Sequence, residues 1–266
     1  MRQPCNGVGQ SVGVSNHTPH WIELDGAVNA RAVVPRVLLR ADNLQSLSTR
    51  DVRRLVDEDA LEVVVDLRTE VEAELEGEGL MTAEPGVRIE LRSLHPDSGS
   101  VVDLNAGTVK PWDAHDEDES PGETPVVRAY MSYLRLRPDS VVGAVRTIAT
   151  AQGAVLVHCA AGKDRTGVVV ALALDAAGVD RDMIVADYLA TAERIDAIVA
   201  RLLGSPLYRD QLESRDPQQH APLQGTMERV FELIDEHHGG SVAWLIANGL
   251  GEGDLRRLRH RLGEPA

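Results

Sequence analysis

The stretch from Gly153 to Leu174 constrains the fold of this chain more than any other. Gly153-Ala154-Val155-Leu156-Val157 is apolar without alternation, the pattern of a strand covered on both faces. Val168 to Leu174 is apolar on every side, the pattern of a helix at the centre of a domain. The residues between them, His158-Cys159-Ala160-Ala161-Gly162-Lys163-Asp164-Arg165-Thr166-Gly167, therefore read as a strand-to-helix turn. A buried strand that runs into a buried helix implies stacked layers of sheet and helix.

The rest of the chain reads the same way. Short strands are expected near Trp21–Leu24 and Val37–Arg40, buried ones at Leu61–Leu67, Val87–Leu91 and Ala154–His158. A helix is expected from Ser48, where Ser48-x-x-Asp51 has the form of a capping box and Val52, Leu55 and Val56 follow at helical spacing. Helices near Val126–Leu136 and Ser140–Ala151 fill the interval before the central strand. After Gly178 the chain reads as helical to Leu203, then as a Pro- and Gln-containing segment from Ser205 to Gln224, then as C-terminal helices. His237-His238 before Gly239-Gly240 is expected to end a helix rather than bind metal. The fold class is thus α/β, with a largely parallel central sheet flanked by helices and the turn at a strand's carboxyl end.

A length of 266 residues, 43% hydrophobic, supports one substantial core. The expected organisation is a flexible segment over 1–18, in which Gly7, Gly9 and Gly13 lack dinucleotide-loop spacing, followed by one domain over 19–266. An acidic insertion occupies about 97–125. Its core, Trp112 to Glu123, lacks the alternation and glycine position of a calcium loop and is expected to be solvated. The net charge of −15 repels polyanions and argues against a nucleic-acid partner. Two cysteines do not make a disulfide framework and suit a reducing compartment. With no signal-peptide pattern and no apolar run of spanning length, a cytoplasmic location without integral membrane association is expected; secretion without a recognisable signal is the alternative.

The turn itself carries chemistry. The first amides of a helix have no internal partners and, with the aligned peptide dipoles, attract an anion. Cys159 sits where that attraction is felt and is expected to be a thiolate at neutral pH, since helix amides and cations stabilise the sulfur anion. The amides from Ala160 to Arg165 can curl around the oxygens of a phosphoryl group while the Arg165 guanidinium grips two of them. Gly162 lets the backbone approach closely. Lys163 after Gly162 is not a nucleotide-binding loop, because Val157 stands where the first glycine belongs and Asp164 where Ser or Thr belongs.

His-Cys-x5-Arg followed by Thr-Gly resembles the cysteine-dependent protein tyrosine phosphatase superfamily. The Gly-Lys-Asp-Arg-Thr-Gly version resembles a bacterial branch that includes a secreted mycobacterial phosphatase and lipid-active relatives. Weaker similarities lie at Asn29-Ala30-Arg31, Leu39 to Leu44, Asp66-Leu67-Arg68 with Glu72, Ala186 to Leu189, and Asn248-Gly249-Leu250. Ala32 departs from the acidic residue of the family's Asn-x-Arg-Asp stretch. The resemblance implies that Cys159 attacks phosphorus, that Asp164 serves as acid and then base, and that Arg165 clamps the phosphate. Ala160, Ala161, Gly162, Lys163, Thr166 and Gly167 complete the phosphate loop, with Thr166 able to bond the sulfur, and His158 and Asp66 support it. Asp97 in Leu94-His95-Pro96-Asp97 is the alternative acid; Asp66 is a third candidate that more often orients a neighbour.

No metal or cofactor is required for this chemistry. The resemblance also implies a helical lid over about 183–225, although Ile184, Tyr188, Ile195, Ile198 and Leu202 have a spacing equally suited to core. The expected substrate is a phosphotyrosyl protein. A phosphoinositide or dual-specificity activity is the alternative, a phosphate-binding module without turnover a third reading, and a sulfurtransferase a fourth that the lack of a paired rhodanese-like half disfavours.

Overall fold

The computed structural model describes residues 19–96, 122–212 and 216–263. The 1–18 segment, most of the acidic insertion and Asp97 lie outside the described residues. Six strands form one sheet: β1 (His20–Trp21), β2 (Arg31–Val34), β3 (Leu38–Ala41), β4 (Leu61–Asp66), β5 (Arg88–Leu91) and β6 (Ala154–His158), in the order β1-β2-β3-β6-β4-β5. β3, β6, β4 and β5 run parallel, and β1 and β2 add an antiparallel edge. The sheet is thus largely parallel, with β6 at its centre.

Every residue of β6 is buried because both faces of the sheet are covered. Val155 and Val157 face one core together with Val63, Val65 and Leu67, and Ala154 and Leu156 face the other with Leu61 and Val64. Leu61 and Val63 would share a face in a regular strand. A register shift between them against β6 puts them on opposite sides.

The thicker layer contains α3 (Pro125–Leu136), α4 (Pro138–Thr150), α5 (Asp164–Ala177), α6 (Arg181–Ala190), α9 (Thr226–His238), α10 (Ser241–Ala247) and α11 (Glu252–Leu262). Helix α5 runs through its middle, and Val168 to Leu174 are buried throughout. The thinner layer is built on α1 (Thr49–Arg53), which passes into a π-helical turn at Arg54–Glu58. The Ser48/Asp51 capping box starts that helix, and Asp51 also accepts from the Asp25 and Gly26 amides. Helix α2 (Glu70–Glu76) follows β4, opened by a second box between Thr69 and Glu72.

Beyond α6, a turn at Thr191–Arg194 leads to α7 (Ile195–Leu203), α8 (Pro206–Leu212) and a turn at Pro217–His220. Ile195, Ile198 and Val199 form a small cluster of their own, joined by Leu202, Leu203, Ala221, Val28 and Ala161. Ile184 and Tyr188, by contrast, belong to the main core.

Candidate active site

The turn after β6 is held from behind by its carbonyl groups. The Asn43 amide donates to Ala160 O (3.0 Å), Asn29 Nδ2 to Ala161 O (2.9 Å) and Gly162 O (3.3 Å), and Arg40 Nη2 to Gly162 O (2.7 Å). A peptide group fixed by its carbonyl on one side presents its N–H on the other. Gly162 has φ +66°, and a Cβ there would lie 2.3 Å from Ala41 O, so only glycine lets the loop lie this close to the end of β3.

Buried ions stand behind these groups. Arg31 Nε and Arg40 Nη1 bond the two oxygens of Asp187 at 2.8 and 2.5 Å, and Arg31 also donates to Asn29 Oδ1, Asp187 O and Thr191 Oγ1. Burial would push the Asp187 carboxyl up, but Arg40 and Arg31 outweigh it and hold it at about 2. Burial and the neighbouring Arg40 lower Arg31 to about 10, which leaves it charged at neutral pH. Two guanidiniums against one carboxylate leave a net positive charge behind the loop, a field that favours an anion in front of it.

Cys159 is buried at the end of β6. His158 precedes it, with Nδ1 3.2 Å from Cys159 O and Nε2 3.6 Å from Asp66 Oδ2. Burial lowers His158 despite the Asp66 charge, so the ring is neutral at pH 7. Asp66 is closed into a pair with Arg68, 2.6 Å at its shortest, a geometry that suits an orienting group better than a proton donor. Thr166 is fully buried, and its hydroxyl has no hydrogen-bond partner among the described residues. A bond to the sulfur is therefore not formed here.

Arg165 extends from the first turn of α5 toward α2. Its Nη1 and Nη2 donate to Glu72 Oε2 (2.6 Å) and Oε1 (2.8 Å), and Nη1 lies 3.4 Å from Leu67 O. The Nε–H and the second Nη2–H remain as a fork for an oxyanion. Burial alone would raise Glu72, but the facing guanidinium holds it at about 2. The same carboxylate accepts from the Thr69 amide (2.9 Å) and from the Tyr208 hydroxyl of α8 (3.0 Å). Asp164, the first residue of α5, accepts at Oδ1 from the Tyr130 hydroxyl (2.7 Å). Lys163 Nζ lies 3.5 Å from that oxygen and donates to His220 O (2.6 Å).

A sequence profile described as the tyrosine phosphatase family matches residues 23–264. The chain belongs to that family. It is similar to the triple specificity protein phosphatase PtpB of Mycobacterium tuberculosis, 33% identical over 132 residues, which is 43% of this chain and 46% of the relative. It is also similar to a tyrosine-protein phosphatase of Nostoc commune, 30% identical over 149 residues, 51% of this chain and 48% of the relative. Each match spans about half the length of the relative.

Several residues of the site had no role in the sequence. Asn29, Arg31, Arg40 and Asp187 stood only as similarities, and the fold brings them together beneath the loop. Glu72 was readable as a helix-capping residue from Thr69-x-x-Glu72, but nothing local pointed to Arg165. Ala32 packs with the thinner core, and the carboxylate that bonds Arg31 is that of Asp187. Among the described residues no cluster of His, Cys, Asp and Glu could hold a metal ion.

Proposed function

We propose that the protein is a phosphatase that hydrolyses phosphotyrosine in proteins through a phosphocysteine intermediate. One observation supports this reading: three successive carbonyls, of Ala160, Ala161 and Gly162, are tied back, which leaves the N–H edges of those peptides for an anion beside Cys159 and Arg165. In the first step the Cys159 thiolate attacks phosphorus in line, the phosphorus–oxygen bond breaks, and Asp164 gives its proton to the departing phenolate. In the second, Asp164 takes a proton from water, which attacks phosphorus and expels the thiolate as inorganic phosphate forms. Arg165 stabilises the equatorial oxygens without leaving Glu72, because the two ligands use different edges of the guanidinium.

In this reading α7, α8 and the Pro217–His220 turn form a cover over the site. It is fastened by Tyr208 to Glu72, Lys163 to His220 O, Ser205 to Glu76 and Arg201 to Asp42. Such a cover excludes water and selects substrates. A phosphoinositide or dual-specificity activity is the second reading, favoured by Lys163, whose ammonium can meet a second phosphate once it leaves His220 O, and by the triple specificity named for the mycobacterial relative. Among the described residues no helix is long and apolar enough to cross a membrane.

The test is turnover of an aryl phosphate by wild type and by Cys159→Ser, followed by phosphotyrosyl peptides against phosphoinositides under the same conditions. Turnover lost with the sulfur and faster on peptides supports the first reading. Binding without turnover, or faster release from phosphoinositides, replaces it.

A further inference from the structure

Two buried tyrosines stand behind Asp164, and the reaction scheme does not use them. Tyr130 of α3 and Tyr188 of α6 are 1% and 2% exposed, and their hydroxyls lie 3.0 Å apart. Tyr130 donates its single hydroxyl proton to Asp164 Oδ1. Tyr188 is then the donor to Tyr130, and the chain of bonds runs one way, from Tyr188 through Tyr130 to Asp164.

We propose that Tyr130, itself oriented by Tyr188, is a positioning residue that fixes the rotation of the Asp164 carboxyl and reserves Oδ2 for the proton it transfers. The inference rests on the assignment of Asp164 as acid and base. Both Tyr130 and Lys163 are placed at Oδ1, and among the described residues no donor is placed on Oδ2. The Asp164 side chain is about one-third exposed while both phenols are buried, so Oδ1 is bound to a buried donor on a carboxyl that water still reaches.

Tyr188 is located by two neighbours of the phosphate loop. Asp187, the residue before it, is clamped by Arg31 and Arg40, and a Cβ on Gly167 would come within 3.1 Å of the Tyr188 ring. One turn of α6 thus braces the loop through Asp187 and the acid through Tyr188. The charged and titratable groups around this chain are Lys163 and Arg165 on either side of Asp164, Cys159 at the loop start, Tyr133 from α3, Arg40 from β3, and Glu228 of α9 toward Tyr188.

Tyr130→Phe tests this by the pH profile of kcat/KM and by the leaving group. With the Tyr130 donor gone, the alkaline limb of the profile moves to higher pH. Phenyl phosphate, which needs the acid, should slow about tenfold or more, whereas an activated nitrophenyl ester changes less than threefold. A merely structural role would lower thermal stability, leave the limb in place and slow both esters alike, and that result overturns the inference. Should Tyr130→Phe not fold, Tyr188→Phe and Gly167→Ala are expected to move the limb in the same direction by a smaller amount. Asp164→Asn separates the two levels. If it slows phenyl phosphate far more than the nitrophenyl ester and the tyrosine variants match wild type, only the positioning role fails; if it slows both esters alike, the acid assignment itself fails.

Discussion

Replacing Asp187 with asparagine tests whether the loop is braced by buried charge. The carboxylate bonds Arg31 at 2.8 Å and Arg40 at 2.5 Å with almost no access to water. Holding it at about 2, against an ordinary aspartate near 3.9, corresponds to about 2–3 kcal/mol of stability. Deleting one partner of a buried ion pair costs more, about 3–5 kcal/mol, because the remaining charge is stranded. Asparagine keeps one acceptor but turns an NH2 toward one of the guanidiniums, so the loss should fall at about 2–5 kcal/mol, a large share of a typical 5–15.

The pH dependence has a definite sign. The folded-state acidity is depressed, so this contribution is complete above about pH 4 and disappears as pH falls through about 2. Glu72, also held at about 2, contributes with the same sign and is retained in the variant. Urea unfolding near neutrality and at a series of acidic pH values should show Asp187→Asn less stable near pH 7 and shallower in its acid dependence. A variant within about 0.5 kcal/mol of wild type, with a parallel pH profile, would refute the reasoning.

Three further outcomes are expected. Arg165→Lys replaces a fork with a point charge that cannot hold Glu72 and phosphate together, and kcat on an aryl phosphate should fall about 10²–10³-fold. Gly162→Ala places a Cβ against Ala41 O in a left-handed backbone, so phosphate protection against thermal unfolding should vanish along with a loss of at least about 1–2 kcal/mol in stability. Limited proteolysis over residues 195–221 should slow when phosphate is bound, and equal cutting with and without phosphate would count against a closing cover.

The central elements were legible because their signals are local. The apolar run of β6, the Ser48/Asp51 capping box and the all-round apolar helix α5 sit where pattern alone places them. The antiparallel edge was legible only at β1, where a short strand was expected near Trp21–Leu24. β1 is only two residues long, β2 begins with a buried arginine, and the turn from β2 to β3 places Arg36 at φ +58° where a hairpin would ordinarily show Gly or Asn. The bracing of the loop was hidden for another reason. Asn29, Arg40 and Asn43 act on backbone carbonyls, which carry no residue-type signal, and they reach them only because β3 lies beside β6 in the sheet. Tyr130 and Tyr188 read as ordinary apolar helix positions and Tyr208 lay in the Pro- and Gln-containing segment, so only their hydroxyl partners distinguish them.

The most direct measurement is rapid acid quenching of the enzyme during turnover of a phosphorus-labelled aryl phosphate. The account predicts label bound through sulfur at Cys159, formed before phosphate is released and absent in Cys159→Ser. Turnover that proceeds with no label on Cys159 would contradict it.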